Sequence, residues 1–350
     1  MSRKGILLVN LGTPDSPSVA DVRKYLNEFL MDKRVIDINP ISRAALVRGL
    51  IVPFRAPKSA KLYKKIWSEK GSPLLYYSIR QKDLLQQQLG SEFQVELAMR
   101  YQSPSIESAL QSLKSANVRS IKVIPMFPQY ASASTGSVID KVMELVKDWQ
   151  TIPDISFINS FHNNELMIQT FAENAKRHQP ETYDHILFSF HGLPQRQLKK
   201  SDPTQKYCLQ VNNCCSKFND ANKFCYSAQS YNTALLIADK IGLSKDQYTV
   251  CFQSRLGNDP WVQPYTSAII AEQAKKGAKR LLVLCPAFVA DCLETVYEVS
   301  EEYHEEFKAS GGEKVQLVES LNDEPMWIEA LARLVKDKTD QKTYSQGLLV

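Results

Sequence analysis

The apolar positions of this chain gather into short continuous runs rather than strict alternations. GILLVN (5–10), QVELAM (94–99), SIKVIPM (120–126) and DISFI (154–158) lie in the first half. HILFSF (185–190), YTVCFQ (248–253), RLLVLC (280–285) and VQLV (315–318) lie in the second. Runs of this length suit parallel strands covered on both faces. Helical stretches separate them. One has a legible start: Ser103 as cap, Pro104 at the first helical position, then Ile106, Leu110 and Leu113 along one face. Strand and helix in alternation predict an α/β fold with parallel sheets.

The halves echo each other. ILLVNLGTP (6–14) and ILFSFHGLP (186–194) share Ile, Leu, Gly and Pro in one register, and IKVIPMFPQYAS (121–132) resembles LLVLCPAFVADC (281–292) more loosely. Duplication of a four-stranded unit and chance likeness between apolar strands explain this about equally well. In either case His191 falls opposite Leu11, so one copy carries the imidazole. The expected division is a first lobe over 1–155 and a second over 156–350, with the C-terminal helix packing back on the first.

Composition then narrows the class. The chain has 350 residues, enough for two domains, with 43% hydrophobic and 23% charged residues, as in soluble globular proteins. A net charge of +5 selects no partner by itself. No apolar run approaches the ~20 residues of a spanning helix. The opening MSRKGILLVNLGTPD has too short an apolar run for a secretory segment and reads as a first strand, which implies a cytoplasmic protein. Seven cysteines in a reducing compartment are not expected to form structural disulfides.

Two segments depart from this background. SRAALVRGLIVPFRAPKSAKLYKKIW (42–67) mixes Leu50, Ile51, Val52 and Phe54 with many basic residues. Composition alone favours a core-packing helix with solvated lysines over a surface resting on anionic lipid. In DPTQKYCLQVNNCCSKFNDANKFCY (202–226), Cys208, Cys214, Cys215 and Cys225 are spaced C-x5-C-C-x9-C. So many thiols in one polar segment predict a metal centre, either tetrahedral zinc or an iron–sulfur cluster.

Candidate chemistry sits just past strand ends, where open α/β sheets bind ligands. His191 ends HILFSF and precedes Gly192 and Pro194; it is either a base or metal ligand or a histidine satisfied by a loop carbonyl. Asp291 and Glu294 have capping-box spacing, while Glu294, Glu298, Glu302 and Glu305 or Glu306 recur at helical spacing. That acidic stripe is either a solvated face or a path for cations and protons. Arg255 and Trp261 share one loop and suit a flat, partly anionic ligand or a loop anchor. Ser132, Ser134, Thr135 and Gly136 form a weak anion-binding pattern.

Taken together, LLVNLGTPDSP, FLMDKRVID, GSPL, FPQYASASTGS, FSFHGLP, FQSRLGNDPW and DCLETVYE resemble the ferrochelatase family, in family order and over nearly the whole chain. The resemblance implies two Rossmann-like lobes, each with a four-stranded parallel sheet, around a cleft. It implies a lyase that inserts Fe2+ into a porphyrin, protoporphyrin IX in the first place, late in haem biosynthesis. His191, Glu294 and Glu298 match the catalytic positions, and His191 and Glu294 the positions that meet the incoming metal. Arg100, Tyr101, Tyr130 and Trp261 match positions lining porphyrin. The apolar lip near 46–56 matches a segment that touches the membrane in some members, so the protein is expected in the cytoplasm, at the inner membrane face where the lip engages. Where some members have a histidine two residues before the glutamate, this chain has Cys292. Some members bind a [2Fe-2S] cluster through C-terminal cysteines; the tail DQKTYSQGLLV has none. The internal four-cysteine segment instead resembles that of certain bacterial ferrochelatases, which implies a [2Fe-2S] cluster on Cys208, Cys214, Cys215 and Cys225. No nucleic acid is expected as partner, and the protein is expected as a monomer or homodimer. The alternatives are a chelatase for another tetrapyrrole and a non-catalytic haem or metal carrier. A dinucleotide oxidoreductase is disfavoured because no G-x-G-x-x-G follows the first strand.

Overall fold

The computed structural model describes residues 3–336 apart from 258; the C-terminal tail lies outside them. Each predicted strand forms. β1 (Lys4–Gly12), β2 (Phe93–Tyr101), β3 (Ser120–Pro125) and β4 (Asp154–Phe157) make one sheet in the order β2-β1-β3-β4. β5 (His185–His191), β6 (Tyr248–Gln253), β7 (Arg280–Leu284) and β8 (Lys314–Leu317) make a second in the order β6-β5-β7-β8. Every pairing is parallel, and the two orders are the same when each sheet is counted from its own first strand.

The chain divides into two compact units. Among the described residues, unit 1 holds 3–127, 131–160 and 331–336, and unit 2 holds 128–130 and 161–330. The central strands explain why the apolar runs were continuous. Ile6, Leu7, Leu8 and Val9 of β1 are all buried, as are Ile186 to Phe190 of β5, because helices cover both faces. In unit 1, Leu7, Val9, Ile121 and Val123 pack with Ile106, Leu110 and Leu113 of the helix Ile106–Ser115 and with Val138 and Val142 of the helix Ser137–Val146. In unit 2, Leu187, Leu281 and Val283 pack with Ile270, Val299 and Phe307.

One predicted helix start is corrected. The cap is Ser105, whose hydroxyl accepts from the Ser108 N–H at 3.1 Å, and not Ser103. Pro104 lies outside the helix because its carbonyl accepts from Met99 N–H at 2.6 Å, which keeps the segment beside β2. The face of Ile106, Leu110 and Leu113 is unaffected, since apolar spacing and not the cap sets it.

The repeated glycine has a physical reason in both units. A Cβ on Gly12 would lie 2.1 Å from the Tyr101 carbonyl oxygen, and one on Gly192 would lie 2.9 Å from the Gln253 carbonyl oxygen. In each case the chain leaving the central strand presses against the last residue of the strand beside it. Gly12 also has φ +123°, which a side chain resists.

Candidate active site

In unit 2 the site grows from the carboxyl ends of β5 and β6. The ladder continues to His191 opposite Gln253, and the Gly192 N–H donates to the Gln253 carbonyl at 2.7 Å. His191 is half-buried, with Nδ1 at 2.7 Å from the carbonyl oxygen of Gly192. A carbonyl only accepts, so Nδ1 carries the hydrogen, and in the neutral ring the lone pair lies on Nε2. The Trp261 indole packs on Gly192, its Nε1 donates to the Leu256 carbonyl at 3.0 Å, and Pro194 pairs with Trp261. Trp261 is therefore the anchor of the turn that carries His191.

Gln253 ties this strand end to the acidic segment. Its amide nitrogen donates to the Glu294 carbonyl at 2.9 Å, and its amide oxygen accepts from the Ser189 hydroxyl at 2.6 Å. A buried amide whose oxygen and nitrogen both find partners is a rigid brace. Its one signal in the sequence is a polar glutamine closing the apolar run YTVCFQ.

The capping explanation for Glu294 does not hold. Cys292 is the N-cap of the short helix Leu293–Val296, with Thr295 as the reciprocal partner, and Asp291 accepts from the Thr295 hydroxyl at 3.0 Å. The Glu294 side chain is left for other contacts, and the buried Cys292 thiol bonds it. Burial, then the Glu294 charge, pushes that thiol far above its ordinary range. Nor is the acidic stripe one regular helix. The α-helix ends at Val296 and a wider π-turn runs over Glu298–Tyr303, so Glu294 and Glu298 are out of simple register.

Glu298 is held at both oxygens. The Ser254 hydroxyl donates at 2.6 Å and the Tyr303 hydroxyl at 2.8 Å. Ser254 reaches it from a left-handed backbone at φ +63°, a conformation costly for a non-glycine residue. Desolvation, followed by the Glu298 charge, raises Glu302 and Glu306 above the usual carboxylate range although both keep exposed surface. His304 is structural, its Nδ1 accepting from Val315 N–H at 3.1 Å.

The other predicted positions fall as follows. Tyr130 is half-buried, and its backbone N–H donates to the Gln229 side chain at 2.7 Å. In unit 1, Arg100 pairs with Asp32 at 2.6 Å, and the hydroxyls of Tyr101 and Ser137 join the same carboxylate oxygen at 2.9 and 2.5 Å. Tyr101 is fully buried, and burial, then Asp32, raises its phenol above the ordinary range. Ser132 accepts from Arg34 at 3.0 Å, which occupies part of the suspected anion pattern.

The four cysteines of the 202–226 segment converge. The Cys214 and Cys215 sulfurs are 3.9 Å apart, and Cys208 and Cys215 each share hydrogen-bonding contacts with Cys214 and Cys225. This sharing pushes Cys208 and Cys215 up and draws Cys214 and Cys225 down toward thiolate. Asp202 organises the entry, accepting from Tyr207 and Cys208 N–H at 2.8 Å each. Among the described residues no group of three His, Cys, Asp or Glu is arranged to hold one metal ion.

Two parallel four-stranded units of equal strand order, with an imidazole and carboxylates at one set of strand ends, define a protein of the chelatase type. The fold is that of SirB from Bacillus subtilis, solved with Fe3+: the likeness has a TM-score of 0.52 at 12% identity, over 97% of this chain and 96% of that one. The ferrochelatase family model matches residues 3–339. The chain is 46% identical to a ferrochelatase of Legionella pneumophila (strain Lens), over 96% of this chain and 99% of that protein. It is 44% identical to a ferrochelatase of Coxiella burnetii (strain Dugway 5J108-111), over 95% of this chain and 93% of the other. The chain belongs to the ferrochelatase family, the lyases that insert ferrous iron into a porphyrin.

Proposed function

We propose that His191 is the base that takes the pyrrole protons of protoporphyrin IX, and that Glu294 and Glu298 serve the same reaction from the neighbouring segment. A free-base porphyrin holds two N–H protons that must leave as Fe2+ enters. The observation that carries the reading is the Nδ1–H bond from His191 to its own turn, which leaves Nε2 as the acceptor at the strand end. A neutral imidazole with one fixed tautomer suits proton transfer near neutral pH. Imidazole and carboxylate are also suitable ligands for ferrous iron on its way to the ring. Glu298, fixed by Ser254 and Tyr303, begins a line toward Glu302 and Glu306 that passes protons or the ion. Tyr130 meets the porphyrin with its half-exposed ring; Trp261 acts through the His191 turn, and Arg100 and Tyr101 through the strand end that Asp32 holds. The test is anaerobic turnover with ferrous ion and either protoporphyrin or coproporphyrin. Insertion into either by the native chain, lost in His191→Ala, supports the reading; unimpaired turnover by that variant removes it.

We also propose that Cys208, Cys214, Cys215 and Cys225 hold a [2Fe-2S] cluster. Four thiols that share contacts with one another, the Cys214 and Cys215 sulfurs 3.9 Å apart, supply the four thiolates that a [2Fe-2S] cluster takes. Such a cluster supplies one-electron chemistry and a covalent staple for the segment. Two iron and two sulfide per chain, with visible charge-transfer bands, are the expected analysis. One zinc in a colourless protein is the opposing result.

Membrane contact through the lip has a further basis. Phe54 is 68% and Leu50 56% exposed, beside exposed Arg48, Arg55, Lys58 and Lys61, while Val47 and Val52 face the core. Apolar tips framed by cations match an anionic bilayer surface. Among the described residues no helix is long and apolar enough to cross a membrane. Co-sedimentation with anionic vesicles, lost in a Leu50→Ser, Phe54→Ser double variant, is the check.

A further inference from the structure

The four-thiol segment and Tyr130 are joined by one buried side chain. Cys225 is the N-cap of the helix Tyr226–Ile241, and its carbonyl accepts from the Gln229 N–H at 3.0 Å, in the opening turn of that helix. The Gln229 side chain is 2% exposed and makes two bonds in opposite directions. Its amide nitrogen donates to the Lys223 carbonyl, inside the cysteine segment, at 2.7 Å. Its amide oxygen accepts from the Tyr130 N–H at 2.7 Å. One turn further along the same helix face, Thr233 accepts from the Gln129 side chain at 3.0 Å. Cys215 adds a contact of its own to this helix start, 3.4 Å from the Ser227 hydroxyl.

We infer that Gln229 is a positioning residue through which the four-thiol segment sets the place of Tyr130, so that the state of the thiols governs porphyrin affinity. This rests on the reading of Tyr130 as a porphyrin contact and of the thiols as a metal centre. The physical basis is continuity. Ordering the four sulfurs fixes Lys223 and Cys225, these fix the first turn of the helix, and the amide of Gln229 transmits that position to the backbone of Tyr130. A loosened segment removes the Lys223 partner and lets the amide, and Tyr130 with it, take more than one position. The function is an affinity control, separate from the chemistry at His191.

The experiment compares the native chain, Gln229→Leu, Gln229→Glu and Tyr130→Ala, each as purified and after removal of bound metal with a chelator under reducing conditions. Porphyrin affinity is read by quenching of tryptophan fluorescence with no metal substrate present; KM and kcat are read separately. Leu removes both bonds, whereas Glu keeps an acceptor for Tyr130 but loses the donor to Lys223. The expected result is porphyrin binding weakened about five- to tenfold in Gln229→Leu, the size of one hydrogen bond, with kcat within about twofold of native. Stripping the native chain gives the same weakening, and stripping Gln229→Leu adds nothing, because the link is already cut. Gln229→Glu, which has lost the Lys223 partner, binds porphyrin about as weakly as the stripped native chain and does not respond further to stripping. Equal responses to stripping in native and Gln229→Leu proteins would overturn the link. Unchanged porphyrin affinity in Tyr130→Ala removes instead the reading of Tyr130 itself, and the link falls with it. Metal content at the native level in Gln229→Leu shows that the variant has not merely lost the centre; loss of the metal there makes Gln229 a structural support and ends the proposal.

Discussion

The strand ends of the two units are built on one plan and filled with opposite chemistry. In unit 1, β1 runs into Gly12, whose backbone presses on Tyr101; in unit 2, β5 runs into His191 and Gly192, whose backbone presses on Gln253. Unit 1 then neutralises its charge internally. Asp32 is almost fully buried and takes the Arg100 guanidinium and two hydroxyls on one oxygen. Unit 2 leaves its imidazole with Nε2 uncommitted, and there desolvation, followed by the Glu298 charge, raises Glu302 and Glu306. A closed ion pair gives rigidity, and an imidazole with an uncommitted nitrogen keeps the capacity to take a proton. The same strand-end geometry thus carries a closed ion pair in one unit and an uncommitted imidazole nitrogen in the other, which is the unit proposed to carry the chemistry.

That contrast is broken most directly at His191. His191→Ala is expected to lower metallation about 10⁴-fold, the upper range for a general base, with the far-ultraviolet spectrum and melting temperature retained. Comparable loss in a Ser132→Ala variant of unit 1 would erase the distinction. For the closed pair the effect belongs to stability. Asp32→Asn leaves Arg100 without its anion and is expected to destabilise the fold by about 4 kcal/mol in urea unfolding. A change under 1 kcal/mol would mean that the pair is not the internal support of unit 1.

A third test uses a buried group of unit 2 outside the proposed reaction machinery. Neither ring nitrogen of His162 has a hydrogen-bond partner among the described residues, the ring packs on Phe218, and burial pushes it down to about 4. The unfolded chain binds a proton there near pH 6.5 while the folded chain does not. Stability should therefore fall as pH drops from 6.5 toward 4, by roughly 3 kcal/mol from this residue, and stay level above that window. A His162→Phe variant that keeps the same slope would assign the acid sensitivity elsewhere. The smallest expected effect is at Ser254→Ala. Losing one hydroxyl on Glu298 should reduce kcat about tenfold with little change in melting temperature, as one bond to a charged group is removed. If stability falls and kcat does not, Ser254 serves the loop and not the carboxylate.

Much of the fold was legible before the structure. Continuous apolar runs marked all eight strands, and the shared Gly in ILLVNLGTP and ILFSFHGLP marked a close backbone approach found in both units. The helix start at Ser103 was misplaced because Pro104 bonds toward β2, a contact that local spacing does not encode. Glu294 looked like half of a capping box for the same reason: Asp-x-x-Glu fits the pattern, yet Cys292 and Thr295 take the cap. The roles of Gln253, Ser254, Tyr303 and Asp32 are not encoded locally, since each acts through a partner far along the chain or across a π-turn.

By itself, then, the sequence determined the α/β class, the two sheets, the segment with four thiols and the lone imidazole at a strand end. Those are matters of periodicity, spacing and residue type, which are local. Only the tertiary structure decided which nitrogen of His191 is free, which oxygens of Glu298 are held and which side chain links Cys225 to Tyr130. Hydrogen-bond direction depends on the partner that burial brings within about 3 Å, and that distance exists only once the chain has folded.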